Sequence, residues 1–93
     1  MKAYIAGTYD TKGLELDFLR QRIAAQGLET VSCDLSTSGA ASQADVSPKN
    51  IAAFHPQGES AVFIGDRGTA IAAMAEAFAQ FIATRHDVGG LVI

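Results

Sequence analysis

Residues 7–13 hold the side chains best suited to chemistry: Gly7-Thr8-Tyr9-Asp10-Thr11-Lys12-Gly13. The hydroxyls of Thr8 and Thr11 can bond phosphate oxygens, Lys12 can neutralise one, and Gly7 lets the backbone approach a ligand closely. Asp10 could orient Lys12 or hold a magnesium ion through water. Neither familiar phosphate signature is present. Gly13 is followed by Leu14, where a P-loop needs Lys and then Ser or Thr, and Gly7 is followed by Thr8-Tyr9, which breaks the Gly-x-Gly-x-x-Gly spacing. Glu15 and Asp17 complement a helix dipole but repel an anion, so the same residues also read as a plain helix start capped by Thr11.

Asp34 stands at the end of a second apolar stretch. It could accept bonds from ribose hydroxyls, or simply close a turn with Ser36 or Thr37. The run Ser36-Thr37-Ser38-Gly39 could add hydroxyls for a sugar or phosphate. In Gly65-Asp66-Arg67-Gly68, Arg67 could meet a phosphate or a partner's carboxylate, or the segment is a turn with Asp66 as helix cap. The single cysteine, Cys33, cannot form an internal disulfide and reads as a small buried hydrophobe in a reducing compartment. His55 and His86 are isolated, in surface or helix-end positions. No catalytic constellation and no metal-ligand spacing emerge, so whether the chain is an enzyme stays open.

The elements that must position these groups follow an α/β pattern. Ala3–Ala6 reads as a strand, with residues 7–13 a loop and a helix over 14–26 whose apolar positions are Leu14, Phe18, Leu19 and Ile23. Gly27 ends that helix, and 28–35 alternates as a second strand, parallel to the first through a right-handed crossover. Residues 36–47 are small and polar and read as a mobile loop. Ser47-Pro48 starts a short helix over 48–55, stopped at His55-Pro56. Residues 60–64 could be a buried strand, a loop or a helix start. A long helix over 67–86 should bury Ile71, Met74, Ala75, Phe78 and Ile82, and 88–93 begins a third strand.

The expected fold is a Rossmann-like or flavodoxin-like parallel three-layer sandwich, truncated after about three strands. Ninety-three residues make one small domain. The last strand breaks off within an apolar run, which suggests an incomplete domain, and three strands leave open edges that dimerisation or strand exchange would cover. A net charge of −3 with no basic run argues against duplex nucleic acid as a partner. No signal-peptide core or apolar run of membrane-spanning length is present, so a cytoplasmic location is expected.

From Gly7 to Gly13 the chain resembles the N-terminal domain of the tobamovirus-resistance protein family. The resemblance continues through Ala44-Asp45-Val46-Ser47, Gly65-Asp66-Arg67-Gly68 and Ile71-Ala72-Ala73-Met74, and so spans nearly all of the chain. It implies an ATP-binding, Rossmann-like domain, followed in the family by a barrel-like domain that is missing here. It carries ATP, with or without magnesium, to Gly7, Thr8, Asp10, Thr11 and Lys12 in the first loop and to Asp34 on the second strand. Arg67 and Gly68 complete the set. The rival reading is a non-catalytic interaction domain that assembles into a homo-oligomer through its last strand and its Ala-rich helix.

Overall fold

The computed structural model describes all residues, 1–93. Three strands, β1 (Lys2–Gly7), β2 (Glu29–Asp34) and β3 (Val88–Val92), form one parallel sheet in the order β2-β1-β3. The helices are α1 (Tyr9–Ala24), α2 (Pro48–Ala52) and α3 (Arg67–Ala83), with one 3-10 turn over Glu59–Ala61. The chain leaves β1 toward β2, then passes back to the other side of β1 to lay down β3. Crossovers of one hand travelling in opposite directions put their helices on opposite faces, which yields the three-layer α/β sandwich.

Alternation along β1 divides the two faces. Tyr4 and Ala6 join Cys33, Ile51, Val62, Met74, Ala77, Phe78 and Phe81 in the main core. Phe81 is its hub, with ring centroids 6.4 Å from Tyr4, 5.4 Å from Phe54 and 6.1 Å from Phe78. On the opposite face a Cβ at Gly7 would lie 2.8 Å from Leu16 Cδ1, so the missing side chain lets α1 settle on the sheet. The other constrained glycine is Gly89. It falls in the bulge where the β1–β3 register shifts, and a Cβ there would lie 2.7 Å from Met1 Cβ.

Several expectations change. Helix α1 begins at Tyr9, five residues before Leu14, so most of the expected loop is helical, with a kink at Lys12 (φ −119°, ψ 18°). The acceptors that cap its first N–H groups, Asp34 Oδ1 and Ser36 Oγ, come from the end of β2 and just past it, outside the reach of a local reading. Leu14 and Phe18 point to solvent, while Leu16, Leu19 and Ile23 are half-buried. The α3 stripe is rotated likewise. Met74 and Phe78 are buried as expected, but Ala70, Ala73, Ala77 and Phe81 complete the face and Ile71 is half exposed. Small alanines let α3 lie close to the core, so the aliphatic positions do not decide which face goes in.

Residues 60–64 are no strand, and only Val62 of the apolar residues Val62, Phe63 and Ile64 is buried. Helix α2 stops at Ala52 and α3 at Ala83, both earlier than the expected 55 and 86. The start of α2 is as read, with Pro48 in the first turn and Ser47 Oγ accepting the Asn50 N–H at 3.2 Å. Gly27 follows α1 with φ +84°. The loop over 36–47 is anchored at its far end. Val46 N–H donates to Ser32 O (2.9 Å) and Asp34 N–H to Val46 O (3.1 Å), adding a one-residue bridge outside β2. No helix is long and apolar enough to cross a membrane.

Candidate functional site

Both α1 and α3 run against the strands they serve, so their amino ends meet the sheet at its carboxyl edge. Gly7 ends β1 and Asp34 ends β2, paired in register. Between β1 and α1, Thr8 is extended (φ −88°, ψ 90°) and its side chain makes no cap bond. Asp34 does that work from the neighbouring strand. Its Oδ1 accepts the N–H of Tyr9 at 3.2 Å, the N–H of Ser36 at 2.9 Å and the Ser36 hydroxyl at 2.5 Å. Ser36 Oγ in turn accepts the Asp10 N–H at 3.1 Å. The N–H groups of Thr11 and Lys12 both donate to Thr8 O, at 3.2 and 2.8 Å. Every N–H from Tyr9 to Lys12 therefore has an internal partner.

A carboxylate already sits where a helix amino end would receive an anion. The first-turn N–H groups that could cradle a phosphate are thus occupied, and side chains are what this turn offers a ligand. Thr8 Oγ1 and Thr11 Oγ1 lie 3.1 Å apart, and the Thr11 hydroxyl is 3.4 Å from Thr8 O. Lys12 is exposed and in no ion pair, so Asp10, also exposed, does not orient it. Gly7, read as a point of close ligand approach, is filled on its Cβ side by Leu16. Asp34 is 3% exposed, and its Oδ2 accepts none of these bonds. Arg67 and Gly68 occupy the exposed first turn of α3. There Asp66 caps the helix by accepting the N–H of Thr69 at 3.2 Å and the Thr69 hydroxyl. Arg67 forms no ion pair within the chain.

A cleft of about 770 Å³ opens beside this edge, between α1, β2 and residues 41–45. Asp10, Asp17, Asp34 and Asp45 line it, against one cation, Arg20. Arg20 is already bonded to Asp17 at 3.0 Å, and with Gln21 it holds the Asp17 carboxyl below its ordinary range. Such a lining repels phosphate, and its carboxylates do not gather as a group of three able to hold a metal ion. Of the candidate ligand-binding residues, only Asp10 and Asp34 line this cleft.

The turn read between Asp34 and Ser36 is present, and Ser36 adds a contact that local reading did not show, its Oγ accepting the Asp10 N–H. Asp45 was legible only through the resemblance. Its Oδ2 accepts the Ser32 N–H at 2.9 Å while its own N–H donates to Ser32 Oγ at 2.8 Å, pinning the outer rim of the cleft. Cys33 is fully buried, and burial pushes its thiol up to about 12, consistent with a packing role. His55 lies at a helix end, its Nδ1 accepting the Gln57 N–H at 3.0 Å and its Nε2 3.2 Å from Glu76.

The fold and its carboxyl edge thus define an open parallel α/β unit of the kind that carries ligand sites on its strand ends. Across residues 1–93 the sequence matches the family described as the "Uncharacterised protein family (UPF0261) N-terminal domain", and the chain belongs to that family. It is 48% identical over 92 residues to UPF0261 protein RA0729 of Rhizobium meliloti, and 45% identical over 92 residues to UPF0261 protein mlr3387 of Mesorhizobium japonicum. Each alignment covers 98% of this chain and 23% of the relative, so the chain spans about a quarter of the length of these curated relatives. No solved structure matches it.

Proposed function

We propose that the chain is the nucleotide-binding unit of a longer cytoplasmic protein, with ATP as its ligand and the phosphates at the amino end of α1. The observation that carries this reading is where Thr8, Thr11 and Lys12 fall. In an open parallel sheet, ligands bind beyond the carboxyl ends of the strands where the strand order reverses. In the order β2-β1-β3 that point lies between β1 and β3, and the Thr8–Lys12 turn follows directly from β1. The turn presents two hydroxyls and an unpaired lysine. The resemblance of Gly7–Gly13 to the tobamovirus-resistance family supports ATP among nucleotides.

The geometry refines how binding would work. With the first-turn N–H groups engaged by Asp34, Ser36 and Thr8, the phosphates rely on Thr8, Thr11 and Lys12. Magnesium carried by the nucleotide would offset the Asp10 carboxylate. Asp34 could meet the ribose only through Oδ2, since Oδ1 is committed to the turn. Arg67 and Gly68, in the first turn of a helix that starts at the same edge, are secondary phosphate contacts.

Amide NMR during magnesium-ATP titration tests this. Shifts should centre on residues 7–13, and Lys12→Ala should weaken binding about 10-fold or more, the worth of one charge-assisted contact, without changing the melting temperature. Absence of shifts there would overturn the reading, and unchanged affinity in the variant would remove Lys12 from the site. The rival reading, a non-catalytic assembly module, gains from one observation. Leu14 and Phe18 of α1, and Leu91 and Ile93 at the last strand, are exposed.

A further inference from the structure

The outward face of α1 carries an apolar row that nothing in the fold covers. Leu14 is 88% and Phe18 63% exposed, and the i, i+4 spacing places them one turn apart on the same face. Glu15 and Arg22 flank Phe18 on that face, one before it and one after. Arg22 holds its guanidinium 5.8 Å above the Phe18 ring, and neither Arg22 nor Glu15 is in an ion pair within the chain.

We infer that this face docks on the same face of a second copy, the two α1 helices running antiparallel about a two-fold axis at Phe18. Residues seven apart on a helix lie at nearly the same angle, so Glu15 and Arg22 share one flank of the row. A two-fold axis that reverses the helix direction brings like flanks together. Glu15 of each copy then stands opposite Arg22 of the other, twice per dimer, around a Phe18–Phe18 centre. Parallel pairing about an axis along the helices would instead put the two charged flanks on opposite sides of the seam, so that neither Glu15–Arg22 pair forms. The face is therefore self-complementary in charge in one orientation only. The exposed end of β3 has no such pattern: Val88-Gly89-Gly90-Leu91-Val92 carries no charged side chain.

The test needs no ligand: light scattering of the whole chain across a concentration series up to millimolar, with circular dichroism to verify each fold. The wild-type chain should rise from 9.7 kDa toward twice that mass. Glu15→Arg alone and Arg22→Glu alone should each weaken the dimer about 10- to 30-fold, because two attractive pairs become repulsive. Mixing these two variants should restore a one-to-one dimer, since every facing pair is again opposite in sign. Phe18→Asp should weaken it about 30-fold or more, as expected of a central aromatic anchor. All these positions are exposed, so the fold tolerates the changes. A strict monomer at millimolar concentration overturns the inference and leaves the row to another domain of a longer protein. A dimer indifferent to these substitutions, or no recovery on mixing, overturns it in favour of an interface elsewhere, such as the β3 edge.

Discussion

Removing the Asp34 carboxylate should loosen the whole carboxyl edge, by an amount its hydrogen bonds allow to be worked out. Oδ1 accepts three donors, two backbone N–H groups and one hydroxyl, in a residue that is 3% exposed. Asp34→Ala strands all three. A hydrogen bond to a charged group is worth about 1.5–3 kcal/mol, but water can enter from the adjacent cleft and the turn can relax. The net loss should be about 3–4 kcal/mol, a large part of the roughly 5–15 kcal/mol typical of a domain. Asp34→Asn keeps an oxygen at the same place and forfeits only the charge, so about 1 kcal/mol should go. Urea denaturation followed by circular dichroism separates the two. An alanine variant within about 0.5 kcal/mol of wild type would refute Asp34 as the cap of α1, given the size of surface effects. An asparagine variant as unstable as the alanine one would refute the division between Oδ1 and Oδ2. Because the asparagine variant should stay folded, its ATP affinity also reports whether Oδ2 contacts the nucleotide.

Other outcomes follow from the packing and the charges. Phe81→Ala, at the 1%-exposed hub of three aromatic contacts, should cost about 3–5 kcal/mol in the same assay. Ser47→Ala removes the acceptor for the Asn50 N–H at the start of α2 and should cost about 1 kcal/mol, seen as a lower melting temperature. Stability should fall in acid. The Tyr4 hydroxyl holds the Asp87 carboxyl below its ordinary 3.8, and Arg20 and Thr69 do the same for Asp17 and Asp66. Groups depressed in the fold contribute stability that is full above about pH 4 and lost as pH falls through their folded values. Urea midpoints at neutral pH and below pH 4 check this, and a midpoint that rises on acidification would contradict it.

How much was legible differs from one element to the next. The strand-helix-strand order, the Ser47-Pro48 start of α2 and the glycine after α1 rest on short-range chemistry, which a sequence displays directly. The α/β class follows from that order. The start of α1 was not legible, because its caps come from Asp34 and Ser36, far along the chain and close only once β1 and β2 pair in register. Residues 60–64 were equally undecidable, since five residues of that composition suit a strand, a loop or a helix start, and only the folded chain shows that they join no sheet and bury Val62 while Phe63 and Ile64 stay exposed.

By itself, then, the sequence determined the succession of strands and helices, the parallel pairing of the first two strands and the polar segment that follows the first strand, since these depend on neighbours in the chain. Only the tertiary structure decided which faces of α1 and α3 are buried, because Leu16 seats over a glycine and alanines let α3 approach the core. It also decided that the amino end of α1 is closed by a carboxylate from the next strand. Contacts between residues distant in sequence made that choice, and they leave the turn offering a ligand its hydroxyls and a lysine rather than its backbone N–H groups.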